Sequence, residues 1–309
     1  MNNGRTIIMV DLKIAVFSTV YPEGLWYFED WFTSVNQQTN THFDLWIGCD
    51  RISRREVLDN LGLDIDATWI EGIKNESSII IRQRAFDRII EKYEEVIFVD
   101  SDDVLEKTRV AAATNSLKTH DVYGCAMTLI DQNGHKIGAD FRPPLLWDIS
   151  TLLAKNNIFG LSNTAYRTGV LKKCLPFRPD CELLDWYIAT QAWFYNATFD
   201  FDLTPQMLYR QHPNNIARVI PPFSSSQILM ATSRVMHHYA CILDGNSGEN
   251  LKKREMVVNA SNYVKLFYNT INHSPKILAK YIEELNRKPM GHIWWSCVAH
   301  PDLEEIWKT

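Results

Sequence analysis

The sequence predicts an α/β protein: a largely parallel sheet in the first half, a mixed region after it and a helical C-terminal extension. Three observations carry this. Short apolar runs alternate with helical patterns from about residue 13 to 105, as βαβ units require. The alternation then gives way near Val122 to a hairpin pattern. After Pro221-Pro222 and Ser224–Ser226 only helical periodicity remains. At 309 residues, the chain is long enough for one large or two modest domains. We set a boundary near residue 222, giving a region 1–222 (halves of about 13–105 and 106–222) and a helical region 223–309.

The elements follow in order. Lys13–Val20 reads as a buried strand, and Leu25–Asn36 as a helix bulked by Trp26, Phe28, Trp31 and Phe32. Phe43–Gly48 is a second strand ending at Cys49-Asp50, and Ala67–Glu71 a short third. Ser77 or Ser78 can cap a helix whose Ile81, Ala85 and Ile89 share one face. Glu95–Val99 is a fourth strand and runs straight into Asp100-Ser101-Asp102-Asp103. Val122–Ile130 and His135–Ile137 form a hairpin, because Asn133-Gly134 suits a turn that needs positive φ. Leu183–Tyr195 is apolar nearly all round, which predicts a buried helix. Thr198–Tyr209 is extended, and Gln227–Leu243, Asn250–Asn272 and Lys276–Lys288 are helical.

Composition narrows the function. With 32 Lys and Arg against 37 Asp and Glu, the net charge is −5, a poor basis for holding nucleic acid by its phosphates. The six cysteines are scattered with no C-x-x-C pair, so neither a disulfide framework nor a zinc site is expected. No apolar run reaches the ~18 residues of a membrane-spanning helix, and no cleavable leader pattern opens the chain. The expectation is a cytoplasmic protein with free thiols.

The strongest chemical signal is Asp100-Ser101-Asp102-Asp103 at the carboxyl end of an apolar strand, where open α/β sheets bind ligands. Three carboxylates within four residues repel one another and call for a counter-charge. A hard divalent cation, Mg²⁺ or Mn²⁺, supplies it when held by one or two carboxylates and substrate phosphates. Asp50, ending the second strand, can accept hydrogen bonds from a base or ribose. Arg84, near the start of the helix before the acidic strand, can face a diphosphate, or lie on a solvated helix face.

This ordered set resembles family 2 glycosyltransferases with the GT-A fold, particularly bacterial surface-polysaccharide glycosyltransferases. That family commonly carries an arginine sixteen residues before the first aspartate of an L-D-S-D-D motif, as Arg84 stands to Asp100 here. The stretch from Tyr27 to Gln37-Gln38-Thr39 is similar to the family's first helix. Leu184-Asp185-Trp186 sits where the family has a Glu-Asp pair with a catalytic aspartate, and Tyr209-Arg210-Gln211-His212 through Asn215 is similar to its Y-R-x-H-x-x-N segment. Two positions depart from the pattern: Cys49 replaces an acidic residue before Asp50, and Leu184 replaces the glutamate.

The resemblance implies a metal-dependent, inverting transfer of a sugar from a nucleoside-diphosphate sugar to an acceptor hydroxyl, in surface glycan biosynthesis. Asp102 and Asp100 would hold the metal, with His212 either a third ligand or a loop-ordering residue. Asp185 would be the base, with Glu182 in reserve, and Arg210 would face the diphosphate. Asn163 would line the donor pocket, and Trp186 and Tyr187, beside the base, are candidates for the acceptor site or for core packing. The acceptor would be a glycan or lipid-linked saccharide. The slightly basic tail is where an acceptor, the inner face of a membrane or a second copy of the chain would make contact. Two rivals remain: a haloacid-dehalogenase-type phosphatase with Asp100 as nucleophile and Asp102 as acid/base, and a non-catalytic sugar-nucleotide-binding relative.

Overall fold

The computed structural model describes residues 13–73, 76–144, 147–213, 215–245, 250–289 and 293–308. Asn214 of the Tyr209–Asn215 segment, and residues 1–12 and 309 of the expected regions, lie outside the described residues.

The first half is a run of strand and helix. It comprises β1 (Ile14–Val20), α1 (Leu25–Asn36), β2 (Asp44–Cys49), α2 (Arg54–Leu61), β3 (Thr68–Glu71), α3 (Ser78–Lys92) and β4 (Glu95–Phe98). All seven residues of β1 are buried, as befits the middle of a parallel sheet covered on both faces. It pairs in parallel with β2 on one side and β4 on the other, and β3 adds outside β2. The carboxyl ends of β1, β2 and β4 therefore lie together and deliver Tyr21, Asp50 and Asp100 to one edge. Helix α3 buries Ile81, Ala85 and Ile89, the stripe expected from their spacing, and starts at Ser78 with no side-chain cap bond from Ser77.

Beyond β4 come β5 (Val104–Leu105), α4 (Arg109–Leu117), β6 (Val122–Ile130) and β7 (Lys136–Phe141). They are followed by α5 (Ile149–Lys155), β8 (Thr164–Arg167), α6 (Thr168–Leu171), α7 (Leu184–Phe194) and β9 (Phe199–Arg210). The sheet runs β3-β2-β1-β4-β8-β6-β9-β5, with β7 paired to β6. The β6–β7 hairpin turns through Gly134, whose φ of 85° suits a residue without a Cβ. Strand β9 pairs in parallel with β6 and antiparallel with β5. Because β5 starts one residue after Asp103, the acidic turn is anchored at one end beside β1 and at the other beside β9.

Helices α8 (Ser225–Asp244), α9 (Leu251–His273), α10 (Pro275–Arg287) and α11 (Glu304–Trp307) complete the chain. A capping box between Ser224 and Gln227 starts α8. Trp294 reaches back to the sheet: its indole N–H donates to Tyr209 Oη at 3.0 Å, and its ring packs against Phe141 with centroids 4.1 Å apart. A Cβ on Gly160 would overlap that ring, so a glycine is what makes room for it. Trp294 and Trp295, both buried, are thus accounted for by packing. The apolar residues of both regions form one continuous core. Among the described residues, no helix is long and apolar enough to cross a membrane.

Candidate active site

The acidic turn is held from several sides. Ser101 Oγ donates to the Thr19 carbonyl at 2.9 Å, tying the turn to the end of β1. Asp102 Oδ2 lies 2.9 Å from His212 Nε2 and accepts from Tyr21 Oη at 3.0 Å. Asp103 faces inward, where Ser162 Oγ and the Arg210 amide donate to its two oxygens. Burial, reinforced by Asp102 and Asp100, pushes the Asp103 carboxyl well above the usual carboxylate range. Asp103 thus anchors the turn, while Asp100 and Asp102 remain to face a ligand.

Asp100 is pushed up to about 7, first by burial and then by the neighbouring Asp102, with the Arg82 guanidinium opposing. Arg82 Nε donates to Thr19 Oγ1 at 3.3 Å, and Arg82, Thr19, Asp100 and Leu161 meet around one crevice too narrow to admit a water molecule. Asp185 bears on this centre as well, its charge raising Asp100. It sits in the first turn of α7 and takes a 2.9 Å hydrogen bond from Asn157 Nδ2. Burial lifts its carboxyl to about 6, against the Trp186 amide, Arg82 and Asn157, which favour the ionised form. A carboxyl poised there is ionised near neutral pH yet basic enough to accept a proton.

Asp100, Asp102, Asp185, His212 and Asp50 therefore gather around the carboxyl ends of β1, β2 and β4. Asp50 is 3.6 Å from Arg51 Nε, on the rim. The other expected residues lie elsewhere. Arg84 Nη2 bonds Glu76 Oε2 at 2.7 Å and the Glu71 carbonyl at 2.8 Å, so its charge is engaged beside β3; Arg82 is the cation turned to the aspartates. Arg210 is 1% exposed, and its guanidinium bonds Asp30, the Asp102 carbonyl and the Gln132 carbonyl and lies 4.6 Å from the Tyr27 ring centre. It braces the acidic turn from behind.

Asn163 is fully enclosed, donating to the Cys125 and Ile158 carbonyls and accepting from the Gly160 amide. Trp186 is also fully enclosed, stacked on His238 at 4.0 Å with its indole N–H on the Leu153 carbonyl. Neither it nor the buried Tyr187 offers a ring face to a sugar, which corrects the acceptor-site expectation. Leu184 is buried, so the position that departs from the family's glutamate serves core packing. Glu182, the reserve base, points outward and pairs with Arg234.

Sequence reading missed Tyr21, Arg82 and Asn157, and no local signal marks them: Arg82 is singled out only by its bonds to Ser78 and Thr19 in the fold. Next to His212 opens a cavity of about 460 Å³, bordered by Asn215, Arg218, Phe223, Met230, Arg234 and Trp295. That volume lies within the range of small-molecule sites.

The carboxyl-end position of the carboxylates on a mostly parallel sheet defines an α/β protein with an acidic ligand-facing centre. No family model matches the chain, and no curated protein sequence matches it. Solved structures do. S. aureus TarS 1–349 in complex with UDP-GlcNAc is similar at a TM-score of 0.60 and 17% identity, over 88% of this chain and 78% of that one. The same protein with UDP gives 0.57 and 17%, over 86% and 75%. Mannosyltransferase PcManGT from Pyrobaculum calidifontis, in complex with GDP-Man and Mn²⁺, gives 0.56 and 13%, over 90% and 76%. At such identities the likeness shows the fold: the chain has the α/β architecture of these glycosyltransferases, the GT-A fold that its sequence predicts.

Proposed function

We propose that the chain is a metal-dependent glycosyltransferase that moves a sugar, with inversion, from a nucleoside-diphosphate sugar to an acceptor hydroxyl in surface glycan biosynthesis. The observation that carries this reading is the meeting of Asp100 and Asp102 with a separately buried carboxyl, Asp185, at the carboxyl ends of β1 and β4. The similar TarS structure is a complex with UDP-GlcNAc, and that of PcManGT a complex with GDP-Man and Mn²⁺.

The donor set fits a divalent cation. Asp102 and Asp100 supply hard oxygen ligands, and His212, 2.9 Å from Asp102, offers a nitrogen that tilts the preference toward Mn²⁺ over Mg²⁺. When bound, the cation neutralises charge on the departing nucleoside diphosphate. Arg82 adds a positive charge beside Asp100, and Asp50 accepts hydrogen bonds from ribose or base. Asp185 takes the proton of the attacking hydroxyl, with Asn157 fixing its carboxylate. We assign the cavity beside His212 to the acceptor.

Thermal-shift measurements with a panel of nucleoside diphosphates, with and without Mn²⁺, test the reading. Metal-dependent stabilisation by at least one nucleotide, lost in Asp102→Asn, is expected. Stabilisation by vanadate or beryllofluoride but by no nucleotide would transfer the acidic turn to phosphatase chemistry. Nucleotide binding without sugar transfer or donor hydrolysis would mark a non-catalytic relative.

A further inference from the structure

Away from the acidic turn, the fold brings together a second set of metal-ligating side chains that the spacing along the chain conceals. Among the described residues, Asp180, His237 and Cys241 form a group whose ligand atoms all lie within 4.8 Å of one another. His237 Nε2 is 3.5 Å from Cys241 Sγ and 3.7 Å from Asp180 Oδ2. Cys181, next to Asp180, is buried as well but falls outside that group, so the site has three protein donors. His237 and Cys241 are four residues apart on α8 and therefore share a face. Asp180 and Cys181 come from the segment that leads into α7.

These distances suit a tetrahedral site. Zinc bonds of ~2.3 Å to sulfur and ~2.0–2.1 Å to nitrogen place the two ligand atoms about 3.5 Å apart. A thiol, an imidazole and a carboxylate, with the fourth position left to water, are a borderline-soft set, unlike the oxygen-rich acidic turn. Charge also balances. One thiolate and one carboxylate carry two negative charges, met by a divalent cation, while Arg178 Nη2 stays 3.0 Å from Asp180 Oδ2. A carboxylate has lone pairs enough to keep that arginine and still bind a metal. The Cys241 thiol is buried while Asp180 is exposed and His237 half-buried, which leaves an entry path from solvent. His237 Nε2 now contacts the Asp180 carbonyl at 2.6 Å; that half-exposed contact is released when the ring nitrogen turns to a metal.

We propose that Asp180, His237 and Cys241 form a zinc site that ties the segment entering α7 to α8. Such a clasp fixes the chain five residues before Asp185, and it stands whether or not the glycosyltransferase reading does.

Cobalt titration of the reduced, metal-stripped full-length chain tests it. Expected are a thiolate-to-cobalt charge-transfer band, tetrahedral visible bands and stoichiometric displacement by Zn²⁺. Cobalt in the acidic turn gives no thiolate band, so the two sites are separable. Cys241→Ser should remove the band, while Cys125→Ser, a thiol elsewhere in the sheet, should keep it. His237→Gln, at a half-exposed position that does not threaten folding, should weaken zinc binding by more than the roughly 10–100-fold that loss of an outer-shell partner brings. Cobalt binding without a thiolate band in the wild-type chain, or unchanged zinc affinity in His237→Gln, overturns the proposal.

Discussion

Asp102 and His212 meet at 2.9 Å although 110 residues separate them in the chain. The contact exists because β9 ends beside the acidic turn, and Arg210, two residues before His212, clamps that turn through its amide and guanidinium. Tyr21 adds a donor to the same Asp102 oxygen, so the carboxylate is oriented before any ligand arrives.

Tyr21→Phe removes that orienting bond and keeps the ring. Manganese affinity, read by calorimetry, should fall about 10-fold, as for loss of an outer-shell partner. Unchanged affinity would show that His212 alone orients Asp102.

The two neighbouring arginines of α3 should behave differently. Arg82→Ala should weaken nucleoside-diphosphate binding by about 10-fold or more, since it removes a cation from beside Asp100. Arg84→Ala should leave nucleotide affinity within about twofold and lower thermal stability, because it removes the ion pair and leaves the Glu76 carboxylate to the Ile73 amide. Nucleotide titrations of both variants, alongside melting curves, give the comparison.

Asp185 must be ionised to act as a base, so kcat/KM should fall as pH drops through about 6. Asn157 stabilises the ionised form. Asn157→Ala should therefore move the acid limb to higher pH and lower kcat more than it raises KM. A pH–rate profile with an unmoved limb would leave Asn157 a purely structural residue.

Glu95, buried in β4, is pushed up to about 7, mainly by burial, with Arg167 opposing. A carboxyl whose pKa is raised on folding stabilises the fold at low pH, where it is neutral in both states. That contribution is lost as pH rises from about 4.5 through 7. Glu95→Gln should thus match wild type near pH 3.5 and be more stable above pH 7, by at most about 3 kcal/mol. Denaturant melts at both pH values check this.

Gly160→Ala should destabilise the chain by about 1–3 kcal/mol, because the new methyl collides with the Trp294 ring. Trp294→Ala should be worse, about 3–5 kcal/mol, since it leaves a cavity against Phe141 and Tyr209. Chemical denaturation of the two variants ranks the effects.

The strands, the acidic turn and the α7 aspartate are legible in the sequence because local signals write them: an apolar run ending in carboxylates, or an aspartate opening an apolar helix. The arginine beside Asp100 is not, because a count along the chain places Arg82 and Arg84 almost alike, and only the grip of Glu76 on Arg84 separates them. The enclosure of Trp186 is hidden for the opposite reason. A helix apolar on every side has no pattern to say which ring meets solvent. Burial of Arg210 rests on Asp30, a partner 180 residues away.

The seat that Gly160 makes for Trp294 has a bearing on how this chain can be cut and recombined. Ending it after residue 222 would take the indole out of the sheet and leave an open hole behind Tyr209. The tail is therefore no detachable cassette. A chimaera carrying residues 13–222 would need its new C-terminal portion to return an aromatic side chain to that same socket.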